Sequence, residues 1–260
     1  MPKASRGGRT KQAAQPSVAP QVTPTPAPAA TMRSGPITYA PMTHQDANVL
    51  AAVENDPTNY DPSVQAARKM YISNTNFDGQ GHSASQSMNY YLQQGVDFHN
   101  STPKSLGVSP NNFATMQYMD DYMQRAMHTI GKDVILQRGA HIDDLKAFGI
   151  KSTKGYTEAQ LKKMLVGQHN TSQAYMSTSY DVSKNPFLGS GSGVSGGREV
   201  VYEIHAHKDV QCMLGAKKQT ELILNKGQGW TVKDVKFTGN TATPRNGSPM
   251  PQILITIEMD

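Results

Sequence analysis

The sequence is poor in several features, and each shortage removes a class of protein. One cysteine, Cys212, rules out an internal disulfide framework and a zinc site built from cysteines. No apolar run approaches the roughly 20 residues that span a bilayer. The stretch from Met1 to Pro20 is polar and broken by proline, so it lacks the apolar core of a secretory signal. These absences fit a cytoplasmic protein or one delivered into a target cell by another route.

Acidic residues are missing from the first forty positions, which hold Lys3, Arg6, Arg9, Lys11 and Arg33. Removing those five from the 25 basic residues leaves 20 against 20 acidic ones, so the net charge of +5 belongs to this segment. Large apolar side chains are scarce there too, and Pro2, Pro16, Pro20, Pro24, Pro26, Pro28 and Pro36 interrupt it. Such a stretch buries too little to offset its ordering entropy. Residues 1–40 are therefore expected to be a disordered basic arm, suited to weak polyanion contact at most. Residues 41–260 remain for a single domain.

That domain reads as helices followed by strands. Apolar residues at helical spacing predict helices from Asp46 to Val53, Ser63 to Ile72 and Ser85 to Gln94, forming a helical lobe over 41–110. A longer helix is predicted from Asn111 to Ile130, where Met116, Met119, Met123, Met127 and Ile130 make an apolar stripe closed by Gly131. The stripe reads as core. After it, Val134 to Gly139 looks like a buried strand that delivers Arg138 near its end, and Thr157 to Val166 is a further helix. Strands are predicted from Ala174 to Ser179, Glu199 to Ala206, Gln219 to Asn225, Gly229 to Phe237 and Ile253 to Met259, with a glycine-rich loop from Pro186 to Gly197. This segregation implies an α+β fold, with helices packed on mostly antiparallel sheets.

Gln219 and Glu221 stand two apart at the mouth of an apolar run. In a pleated strand both project from one face, while Leu222 and Leu224 face the other way. Alone, this pair is ordinary strand surface. Upstream, however, Arg138 ends one strand and Ser177, Thr178 and Ser179 form the middle of another. In this order the pieces resemble the signature of the mono-ADP-ribosyltransferases of the arginine, Ser-Thr-Ser, glutamate type. That group includes the clostridial Rho-modifying exoenzymes, the actin-modifying binary toxins and several phage enzymes. The matching pieces are Leu136-Gln137-Arg138-Gly139, Tyr175-Met176-Ser177-Thr178-Ser179, Pro186-Phe187-Leu188-Gly189, Glu199 to Ile204, and Gln219-Thr220-Glu221-Leu222-Ile223-Leu224. They lie within residues 110–237, which places an NAD-binding core in 111–260.

The resemblance implies NAD as co-substrate, no metal, and transfer of ADP-ribose to a macromolecular target. Breaking the bond between nicotinamide and ribose creates an oxocarbenium-like centre, which a nearby carboxylate stabilises. By the resemblance Glu221 is that carboxylate, and Ser177 holds it in place. Arg138 binds the dinucleotide phosphates through its planar fork of donors; the alternative is an ion pair with Asp143 or Asp144. Gly139 lets the backbone approach the ligand, Thr178 and Ser179 complete the NAD-contacting strand, and Phe187 lies against nicotinamide unless it is core. Many relatives carry an arginine after this aromatic. Leu188-Gly189-Ser190 stand there instead, leaving Arg198 as the substitute.

Gln219 carries the acceptor argument. A glutamate at this place accompanies modification of arginine, whereas glutamine accompanies an asparagine-like amide of a protein or a nucleobase of DNA or RNA. Lys217 and Lys218 occupy the target-recognition segment and are candidate contacts, or else solvated surface. An NAD glycohydrolase, or a structural protein keeping the fold without turnover, are the rival readings. His205 and His207 share one strand face at a metal-binding spacing but have no evident third ligand. Cys212 as a nucleophile lacks an evident activating partner.

Overall fold

Helices in the first half begin on side chains that close them. The computed structural model describes residues 37–56, 61–73, 75–140, 145–181, 198–216, 220–242 and 250–260. In α1 (His44–Asn55) the Thr43 hydroxyl accepts the Asp46 N–H while the Asp46 carboxylate accepts the Thr43 N–H. Asp61 caps α2 (Pro62–Tyr71), whose first residue is proline, and Ser83 with Gln86 makes the same reciprocal box for α3 (Ala84–Gln93). A short α4 (Pro103–Leu106) ends on Gly107 in the left-handed region and leads to α5 (Pro110–Ala126), capped by Ser109.

Helix α5 buries Phe113, Met116, Met119 and Met123, so the methionine stripe is core as expected. The helix stops four residues early, however. Met127 turns to extended dihedrals (φ −72°, ψ 136°), and β2 (His128–Thr129) pairs antiparallel with β7 (Gln211–Leu214). Backbone pairing with a distant strand overrides the local helical spacing here.

The other strands are β1 (Ala40–Pro41), β3 (Val134–Ala140), β4 (His169–Thr171), β5 (Met176–Ser179), β6 (Glu199–Ala206), β8 (Glu221–Leu224), β9 (Gly229–Ala242) and β10 (Met250–Met259). Helix α6 (Glu158–Leu165) precedes β4 and contacts β9. Among the described residues the order is β2-β7-β8-β5-β3-β6-β10-β9-β4, with β1 beside β3. Pairing is antiparallel except for β6 with β10 and β1 with β3. The fold is thus α+β with a mixed, mostly antiparallel sheet.

One place in this order is weak. Strands β3 and β6 pair from Val134↔Ala206 to Ala140↔Val200, and β5 pairs with β8 along its whole length. Between β3 and β5 the register holds a single pair, Gln137↔Ser179. The ladder is therefore two half-sheets, β2-β7-β8-β5 and β3-β6-β10-β9-β4, joined at one point. Strands that separate beyond such a point open a seam between them.

Side-chain alternation in β7 and β8 feeds two apolar clusters. Cys212, Leu222 and Leu224 join the cluster built on β3, β6, β9, β10 and α6. Met213 and Ile223 join the cluster of α2, α3 and α5. All four residues of β8 are consequently buried, which the expected polar face at Glu221 did not anticipate. The expected arm also gives up its last residues. Ala40 pairs with Val134, and the Tyr39 hydroxyl lies 3.0 Å from His207 Nδ1, so order begins before residue 41.

The helical cluster is tied to the strands by a buried ion pair. The Asp120 carboxylate, 4% exposed, meets Lys226 Nζ and accepts the Tyr175 hydroxyl at 3.0 Å. Removing one partner leaves the other charge unpaired. Lys226→Met is expected to cost about 3 kcal/mol, read as a lowered midpoint in denaturant unfolding with unchanged slope. Among the described residues no helix is long and apolar enough to cross a membrane.

Candidate active site

Strand order brings the three expected elements together. Strand β5 lies between β8 and β3, so the serine strand has Glu221 on one side and Arg138 on the other. Ser179 sits directly opposite Glu221 across β5 and β8. Arg138 follows the last paired residue of β3 at the seam, and its Nη1 donates to the Ser177 carbonyl at 3.0 Å. The guanidinium thus reaches across the gap where the strands part. Asp143 and Asp144, the alternative partners, lie outside the described residues.

The serines divide their work differently from expectation. Thr178 is buried and its hydroxyl donates to the Leu222 carbonyl at 2.7 Å. Ser179 Oγ lies 2.8 Å from Thr220 Oγ1. Both hydroxyls brace the β5–β8 pair. Among the described residues the Glu221 carboxylate accepts the Ala216 N–H, at 2.8 Å to Oε2, and not the Ser177 hydroxyl.

Two further features surround Glu221. Thr220, just before it, has φ +49°, a left-handed conformation costly for a β-branched residue. Its bond to Ser179, and the Tyr180 N–H donating to its carbonyl at 3.0 Å, hold it there. Gly215 passes so close to the glutamate that an added Cβ would stand 2.2 Å from Oε2. Its N–H donates to the Glu221 carbonyl at 3.0 Å. In the sequence only a glycine between two strands signals Gly215, since its close approach to Glu221 arises from the fold.

Tyr71, at the end of α2, also belongs here. It is buried, accepts Asn89 Nδ2–H at 2.9 Å and packs edge-on to Tyr175 with ring centroids 5.8 Å apart. Burial pushes its phenol up to about 12 and the Glu221 carboxylate adds to the rise, while Asn89, Ser177 and Arg138 act against it. One ring therefore feels the arginine, the serine and the glutamate at once. Nothing local marks it in the sequence, since a tyrosine closing a short helix is common.

Beside Arg138 lies a cavity of about 370 Å³, lined by Gln93 of α3, the 172–176 approach to β5, Tyr202 of β6 and Trp230 of β9. Ser172 Oγ is buried in its wall without a partner among the described residues. A polar ligand atom would satisfy that hydroxyl. Glu221 is not part of this wall; the cavity meets the site at Arg138.

The remaining candidates either fall outside the described residues or have partners of their own. Phe187, Lys217, Lys218 and Gln219 lie outside the described residues. Gly139 is within β3, paired with Val201. Arg198 stacks its guanidinium on Phe237, 4.0 Å from the ring centroid. His205 Nε2 lies 3.1 Å from Glu203, His207 meets Tyr39, and no group of three metal-binding side chains occurs among the described residues. Burial pushes the Cys212 thiol well above its ordinary range, so it offers no thiolate and the nucleophile reading falls.

Several solved structures of ADP-ribosyltransferases and exoenzymes share this fold. The chain matches the C3 exoenzyme of Clostridium limosum at TM-score 0.59 and 16% identity, over 86% of this chain and 98% of that one. It matches C3stau2 of S. aureus, solved with NAD, at 0.53 and 16%, over 86% and 98%. Plx2a, an ADP-ribosyltransferase toxin of Paenibacillus larvae, matches at 0.53 and 12%, over 84% and 96%. At these identities the likeness is one of fold. No curated protein matches the chain by sequence. The chain belongs to the ADP-ribosyltransferase exoenzyme family, whose model matches residues 77–256. It is an NAD-dependent ADP-ribosyltransferase, with NAD as co-substrate.

Proposed function

We propose that this enzyme breaks the nicotinamide–ribose bond of NAD beside Glu221 and passes ADP-ribose to a neutral amide or exocyclic amino nitrogen of a macromolecule. The observation that carries the assignment is the joining of Arg138, the serine strand and Glu221 at the seam. Arg138 binds the dinucleotide phosphates and Ser172 supplies a hydroxyl in the adjoining cavity. As the C–N bond breaks, nicotinamide leaves with the bonding electron pair and positive charge develops on the ribose. The Glu221 carboxylate, held by the Ala216 N–H, stabilises that charge. The acceptor nitrogen then bonds to the ribose carbon and gives up a proton. Ser177 and Tyr71 set the shape of the site around the carboxylate, and Thr178 and Ser179 fix the strands that carry it.

Gln219 supports the acceptor class. Its amide both donates and accepts, which suits orienting another amide or an amino group on a base. Lys217 and Lys218 stand beside it for an acidic patch or phosphates, and the enzyme acts in a target cell after delivery. The test is incubation of the full chain with NAD labelled in the adenylate half and a cell lysate, divided for protease and nuclease digestion. Macromolecular label removed by either treatment supports transfer and names the acceptor. Label appearing only as free ADP-ribose would replace this reading with hydrolysis.

A further inference from the structure

Two helical side chains, both before the segment that the family model matches, hold the backbone next to Glu221. Glu54, near the end of α1, has a side chain only 3% exposed. Its Oε1 accepts the Leu214 N–H and lies 2.9 Å from His128 Nε2. Arg68, on α2, donates from Nε to the Leu214 carbonyl at 3.1 Å. Its Nη2 stands 2.6 Å from Glu54 Oε2, an ion contact without hydrogen-bond alignment.

Both backbone groups of Leu214 are thus taken by a charged pair. Strand β2 pairs with β7 only at Cys212 and Gln211, so Leu214 projects past its end. Glu54 and Arg68 supply the acceptor and donor that a longer β2 would have offered. On its other side the same stretch carries the glutamate, through the Gly215 N–H to the Glu221 carbonyl and the Ala216 N–H to its carboxylate. A buried ion pair is a weak source of stability, so its effect lies in where it places Leu214.

We propose that Glu54 and Arg68 are positioning residues for the transfer. They fix the backbone of Leu214 and, through Gly215 and Ala216, aim the Glu221 carboxylate. This rests on Glu221 being the carboxylate of the reaction. A misplacement of about 1 Å in such a group costs on the order of a hundredfold in rate, with substrate binding little changed.

The test compares NAD turnover by the full chain with that of Glu54→Met, Arg68→Met, the double variant and Glu54→Gln, with Glu221→Gln alongside. Each single Met variant removes one side of the Glu54–Arg68 contact and is expected to lower Tm. The double variant is expected to recover part of that loss in Tm, since no charge is left behind although the Leu214 backbone groups lose their partners, while kcat stays down about tenfold to a hundredfold and KM for NAD holds within about twofold. Glu54→Gln keeps an acceptor for Leu214 and is expected to fall between wild type and the double variant. Wild-type kcat in the folded double variant would overturn the proposal, as would a loss in Glu54→Gln equal to the double's. Full activity in Glu221→Gln removes the underlying assignment instead, whatever residues 54 and 68 do.

Discussion

Glu221→Gln is expected to lower both ADP-ribose transfer and NAD hydrolysis by about a thousandfold while leaving the melting temperature near wild type. Glutamine has the shape of glutamate and keeps an oxygen for the Ala216 N–H, so the loop that carries it is retained. What disappears is the negative charge facing the developing oxocarbenium centre. Residue 221 is 7% exposed, so water screens that charge little. The measurement is kcat and KM for NAD by nicotinamide release, with thermal unfolding in parallel. A fall in KM affinity with unchanged kcat would mean that Glu221 only binds, and full turnover would remove it from the reaction.

Gly215→Ala is expected to cost about a hundredfold in kcat, the second largest effect. Its backbone shows no left-handed φ, so the demand for glycine comes from approach and not from conformation. A methyl carbon 2.2 Å from Oε2 and 2.5 Å from Cδ of Glu221 cannot be accommodated without moving the carboxylate. Crowding of this kind also destabilises by about 1–3 kcal/mol. Gly227→Ala separates the two consequences. That glycine has φ +78° with open space around it, so alanine there costs about 1–2 kcal/mol of stability and leaves turnover unchanged. Equal kcat losses in the two variants would show that general destabilisation, not the position of Glu221, is being measured.

Strong periodic signals in the sequence carried over to the structure. The methionine stripe marks the buried face of α5, and the Val-Val-Tyr-Glu-Ile run gives β6 its full extent from Glu199 to Ala206. Short strands were invisible. His128–Thr129, His169–Thr171 and Gln211–Leu214 are two to four residues long, lack alternation and depend on partners far away in sequence. That dependence also explains why α5 ends at Ala126 although the methionine spacing continues.

At the site, the residue types were legible because the chemistry needs an arginine and a carboxylate in a fixed strand order. Their supports were not. The contacts of Tyr71, Glu54 and Arg68 with the strand half of the chain are set by folding alone, and spacing within a helix gives no hint of them. The brace formed by Thr178 and Ser179 shows the converse. Both hydroxyls of that motif are engaged across the β5–β8 pair, which strand pairing sets and residue type alone does not reveal.

The seam bridged by Gln137 and Ser179 does not leave the two half-sheets independent. On the assignment proposed here, Arg138 grips the dinucleotide from one half-sheet, while Glu221 stands on the other. Among the described residues a single backbone pair joins the halves, but Arg138 also donates to the Ser177 carbonyl of β5, which pairs with β8 along its whole length. On that assignment, capture of NAD and choice of acceptor are coupled through β5, and a substitution in β8 is felt by Arg138 at Ser177.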